Sequence, residues 1–126
     1  MARNRDSGRT SYESAQGSCF IERKTDTGSK LAQAFMNGLD TISFIIPVYN
    51  AEATIEHAIL SVMKQDCSKE IIVVDNGSTD RTIKIIRKFK TVTLLIEYTR
   101  GAGAARNCGL RIAGGKYIAF IDADVV

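Results

Sequence analysis

Residues 41–126 of this 126-residue chain predict an α/β fold, a parallel βαβ sheet with helices on both faces. Three observations predict it. Short β-branched apolar runs alternate with segments whose apolar residues recur at helical spacing. The runs themselves read as buried strands, as expected where helices cover both faces of a parallel sheet. Polar residues then gather at the carboxyl ends of the runs, where open sheets of this kind bind ligands.

The elements follow in order. Residues 1–40 are polar and broken, as in "MARNRDSGRTSYESAQGS", and cannot bury enough surface to offset the entropy of ordering them, so this segment is expected to be disordered. Within it "SKLAQAFMNG" spaces Leu31, Ala34, Phe35 and Gly38 for a short helix. "TISFIIPVYN" reads as the first strand of the folded part, closed by proline and asparagine. "AEATIEHAILSVMKQ" then places Ile55, Ala58, Ile59, Val62 and Met63 on one helical face, with Asn50 positioned as its cap. "KEIIVVD" is the second strand. "STDRTIKIIRKFK" puts Thr82, Ile85, Ile86 and Phe89 on one face and Asp80 in the first turn, where the helix dipole favours an acid. "TVTLLIEY" is the third strand, "GAARNCGLRIAGG" a helix of small residues and "KYIAFID" the fourth strand.

Composition narrows the function classes. Hydrophobic residues make up 44% and charged residues 25%, as in a soluble globular domain. No run approaches the ~20 apolar residues of a membrane span, and no apolar stretch follows the basic N-terminus as a signal peptide requires. A cytoplasmic protein is expected, at most peripheral to a membrane. The net charge of +3 is dispersed among acids, so no nucleic-acid surface is indicated. Cys19, Cys67 and Cys108 are odd in number and widely spaced, so reduced thiols are expected rather than a disulfide framework or a zinc site. His57 reads as a surface residue, Cys108 as core, and Tyr98, Tyr117 and Phe120 as packing.

Four pieces carry candidate chemistry. In "VVDNGSTD", Asp75 ends a strand where a carboxylate can accept bonds from a base N–H or a ribose hydroxyl; the bland alternative is a turn and helix cap. In "RGAGAARNCG", Gly101 and Gly103 permit close backbone approach and Arg106 stands one turn into a helix. That stretch imitates a dinucleotide-binding fingerprint, but its sixth position is Arg106 instead of glycine or alanine, and it follows the third strand rather than the first. Asp122 and Asp124 in "DAD" lie on one side of an extended chain, about 6.6 Å apart at ~3.3 Å per residue. Near a diphosphate each would be repelled by about 4 kcal/mol at ~4 Å and an effective dielectric of ~20 unless a cation stood between. Oxygen ligands select a hard ion, Mg²⁺ or Mn²⁺.

In order and spacing, "SFIIPVYNAEATI", "EIIVVDNGSTDRT", "GAGAARNCGL" and "GGKYIAFIDAD" resemble the family 2 glycosyltransferases of the GT-A fold, over residues 41–126. The resemblance implies a Rossmann-like nucleotide-binding half that transfers sugar from a nucleotide-diphosphate donor, UDP- or GDP-linked, with Mg²⁺ or Mn²⁺. It implies nucleotide-sugar contacts from Pro47, Tyr49, Asn50, Glu52, Asp75, Asn76, Arg106 and Asp122, and metal contacts from Asp124 with Asp122. Asn76 stands where many members carry a second aspartate. Strand order 3-2-1-4, counted from Thr41, is implied too, with the first two helices on one face and the third on the other. The family's acceptor-binding half and catalytic base lie beyond the D-x-D motif. The chain is therefore expected to be incomplete at the C-terminus, inactive alone, without an identifiable acceptor, and prone to self-association through uncovered apolar surface. The competing expectations are a non-catalytic nucleotide-binding fragment and a dinucleotide-binding Rossmann domain.

Overall fold

The computed structural model describes residues 19–23 and 40–123. One five-stranded sheet runs in the order β1-β4-β3-β2-β5, with β1 Cys19–Arg23, β2 Thr41–Val48, β3 Ser68–Asp75, β4 Val92–Glu97 and β5 Tyr117–Phe120. Helices α1 (Ile55–Met63), α2 (Thr82–Ile86) and α3 (Ala102–Ile112) connect the parallel strands. β2 pairs in parallel with β3 and β5, and β3 with β4, which gives the expected order for the four strands from Thr41 onward.

Strand alternation sorts the apolar residues between two layers. Phe44, Ile46, Val48, Ile71, Val73 and Leu94 face α1 and α2, meeting Ile55, Ile59, Val62 and Ile86. Ile45, Ile72, Val74 and Leu95 face the other way and meet Ala105 and Cys108 of α3. The helical periodicities are those expected, except that Met63 is exposed. α3 approaches the sheet most closely at Gly109, where a Cβ would stand 2.6 Å from Cγ2 of Ile45. At the amino ends of the strands, Ser43 Oγ donates to the buried Glu70 carboxylate at 2.6 Å. Gly114 N also donates to Glu70, and Gly115 N to Ser43 Oγ, fastening the α3–β5 link there.

Three expectations are corrected. Cys19–Arg23 lies within the segment expected to be disordered, yet it forms β1, antiparallel to β4 with Cys19 opposite Glu97. The edge of β4 offers this strand a row of backbone partners that no local sequence pattern reveals. Second, Cys19 and Cys108 are joined as a disulfide, Cα atoms 5.7 Å apart, while Cys67 is free. Pairing with β4 carries Cys19 under α3, and a separation of 89 residues conceals that from spacing rules. Third, Tyr98, Tyr117 and Phe120 are exposed rather than packed, the last two because β5 is an edge strand. The expected helix at Leu31–Gly38 lies outside the described residues. Among the described residues, no helix is long and apolar enough to cross a membrane.

Candidate functional site

Parallel strands that end together leave their following loops on one rim. At that rim a cleft of about 870 Å³ is walled by Pro47 near the end of β2, by Tyr49, Asn50 and Glu52 after it, by Asn76 after β3, Arg106 of α3 and Asp122 after β5. Its volume falls within the range that takes a nucleotide-sized ligand. Of the residues singled out from sequence, these seven are brought together. Asp75, next in the chain to Asn76 of the wall, is fully buried and does not line the cleft, and Asp124 lies outside the described residues.

The loops after β2 and β3 are sewn to each other. Asn50 takes up a left-handed conformation with φ of 47°, which asparagine tolerates better than most residues. Its Oδ1 accepts from Thr79 N at 2.7 Å and from Asp80 N at 3.3 Å, while its own N–H donates to Ser78 Oγ at 2.7 Å. Asn50 therefore does not cap α1, as its position suggested; Thr54 stands at that end, with no side-chain cap. Asn50 instead caps the turn into α2. Glu52 accepts from Arg81 N at 3.0 Å, and Ala51 N donates to Thr82 Oγ1 at 2.8 Å. Asp80 precedes α2 rather than lying in its first turn. It accepts from the hydroxyl and the N–H of Thr82, and these bonds hold its carboxyl below the usual range.

Asp75 is the anomaly of the site. Its Oδ2 accepts from Gly77 N and Ser78 N at 2.9 and 2.8 Å, ordinary turn chemistry after a strand. Its Oδ1 is, among the described residues, the one buried side-chain polar atom with no hydrogen-bond partner. Leaving such an acceptor unpaired costs about 1–3 kcal/mol.

Two charged groups complete the cleft. Arg106 is half-buried on the first turns of α3, with its guanidinium 5.9 Å from the Phe120 ring centroid. Asp122 is exposed and unpaired among the described residues, so its oxygens are free for a hard cation, whereas Glu52 and Asp80 are committed to backbone N–H groups. In the glycine loop, Gly101 N donates to Asn76 Oδ1 at 2.8 Å and is spent within the protein. Sequence reasoning missed one pair at the rim: Arg100 lies over the Tyr49 ring, 4.3 Å from its centroid. No pattern signals a contact between residues so far apart in the chain.

Comparisons with known proteins agree with the fold. Residues 43–126 match the family described as glycosyl transferase family 2. The chain is 42% identical over 90 residues to the UDP-Glc:alpha-D-GlcNAc-diphosphoundecaprenol beta-1,3-glucosyltransferase WfaP of Escherichia coli, covering 68% of this chain and 36% of that protein. Among solved structures it superposes on Staphylococcus aureus TarS in complex with UDP with a TM-score of 0.63 and 35% identity, over 67% of this chain and 27% of that one. Glucosyl-3-phosphoglycerate synthase of Mycobacterium tuberculosis, in complex with Mn²⁺, UDP and glucosyl-3-phosphoglycerate, gives 0.61 and 30% identity, over 83% of this chain and 40% of that one. The chain thus spans about a third of the length of such relatives.

Proposed function

The chain belongs to glycosyl transferase family 2, and from that premise we propose that it holds the donor, a nucleotide-diphosphate sugar, for transfer to an acceptor. The unpartnered Oδ1 of Asp75 carries the reading. Uracil offers N3–H, and guanine offers N1–H and an exocyclic amine, so a UDP- or GDP-linked donor would supply a hydrogen-bond partner for Oδ1. Tyr49, 45% exposed beside the cleft, offers a ring face to that base. Arg106 supplies positive charge for the diphosphate.

Asp122, with Asp124, would hold a divalent cation. The free oxygens of Asp122 fit Mg²⁺ or Mn²⁺, and the cation would neutralise charge on the diphosphate as the sugar leaves. The likeness to neighbours solved with UDP, with GDP-Man and Mn²⁺, and with UDP and Mn²⁺ supports donor and metal alike.

Calorimetric titration with UDP, GDP and NAD, each with and without Mn²⁺, tests the proposal. A nucleoside diphosphate should bind, and bind more tightly with the metal. NAD binding that ignores the metal would overturn it.

A further inference from the structure

Asn76 lines the cleft, yet both polar atoms of its side chain are occupied by the protein itself. Its Nδ2 donates to Glu97 O at 2.7 Å and to Thr99 O at 2.8 Å, which uses both amide hydrogens, and its Oδ1 accepts from Gly101 N at 2.8 Å. It is almost wholly buried. These bonds fix the link between β4 and α3 on both sides of Arg100, at Thr99 and at Gly101, where φ is 119°. Held between two pinned residues, Arg100 is delivered onto the Tyr49 ring at 4.3 Å. An ionised carboxylate could not make the two donations seen here: it has no hydrogens to donate, and would set an oxygen against the carbonyls of Glu97 and Thr99. The departure at this position, asparagine where many family members carry aspartate, thus has a physical consequence.

We infer that Asn76 and Arg100 are positioning residues of the donor pocket: Asn76 pins the β4–α3 link, Arg100 braces one face of Tyr49, and the other face is presented to the nucleotide base. This rests on the donor-binding reading. Neither residue touches the ligand; both act through the tyrosine. A guanidinium stacked on an exposed ring contributes enough to shift affinity about two- to five-fold.

The test has a ligand-free arm and a ligand arm. In the free protein, the Tyr49 ring resonances of Arg100→Ala and of Asn76→Asp should move to a common new position, and those of Arg100→Lys part of the way. With Mn²⁺ present, Arg100→Ala should bind UDP about two- to five-fold more weakly and inorganic pyrophosphate unchanged, because only the base meets Tyr49. Arg100→Lys should recover part of the loss, and in a Tyr49→Ala background Arg100→Ala should have no further effect. Arg100 is exposed, so its variants retain the fold even if Asn76→Asp does not. Equal loss for UDP and pyrophosphate, or unchanged UDP binding in Arg100→Ala, overturns this role while leaving donor binding standing. Failure of the unaltered chain to bind UDP or GDP overturns both.

Discussion

Gly109→Ala sets two effects of known sign against each other. Alanine in a helix interior is favoured over glycine by about 0.8–1.0 kcal/mol, so on propensity the change should stabilise α3. The new methyl, however, would stand 2.6 Å from Cγ2, 3.3 Å from Cγ1 and 3.4 Å from Cδ1 of Ile45. Ile45 is fully buried on a central strand, and a β-branched side chain there has little rotamer freedom with which to yield. Overpacking of this kind costs about 1–3 kcal/mol, which exceeds the gain and leaves a net loss of up to ~2 kcal/mol. Urea unfolding followed by far-UV circular dichroism measures it. Ile45→Ala alone should cost about 2–5 kcal/mol, but in that background Gly109→Ala should reverse sign and stabilise, since the methyls it meets are gone. Because α3 also carries Ala102, Ala105 and Arg106 into the cleft wall, the single variant should weaken UDP binding as the helix is pushed outward. A gain of about 1 kcal/mol in the unaltered background would refute the close approach on which this packing rests.

Asn50→Ala should lower stability by about 1 kcal/mol more than Asn50→Gly, measured by thermal melts, because both lose the bonds to Thr79 and Asp80 but only alanine is strained at φ of 47°. The Asp80 carboxyl is depressed by its Thr82 bonds, so its contribution is fully present above the ordinary carboxylate pKa and is lost as pH falls through and below that range; Asp80→Asn should flatten this part of the acid limb in pH-dependent melts. Thiol titration of the unfolded, unreduced chain should find one reactive group, Cys67, and three after treatment with a dithiol reductant, with reduction lowering stability by about 2–4 kcal/mol.

What was legible from sequence was whatever depends on near neighbours in the chain. The β-branched runs gave the parallel strands, and Ile55, Ala58, Ile59 and Val62 gave the buried face of α1, because both patterns repeat within a few residues. The rim was legible for the same reason: a residue at the end of a parallel strand has its position set by the strand. Partners across the sheet were not. Asn50 reads locally as the cap of α1 and in three dimensions serves the turn into α2, about thirty residues on. Asn76 reads as half of an Asn-Gly turn, and its amide is spent 21 to 25 residues away. β1 has little periodicity of its own and exists through the edge of β4, which also brings Cys19 to Cys108. Side-chain amides and sulfurs commit to whatever the topology brings near, and topology is a property of the whole sheet.

Donor recognition turns on the unpartnered Oδ1 of Asp75 receiving a base N–H. Proton NMR of the complex with UDP and Mg²⁺, which is diamagnetic, tests it directly. The uracil N3–H, which exchanges too rapidly to be seen in free UDP, should appear as a downfield, exchange-protected resonance in the complex. It should disappear in Asp75→Asn while Arg100→Ala retains it. Bound UDP with no protected imino proton, or an imino resonance that Asp75→Asn leaves untouched, would contradict the account.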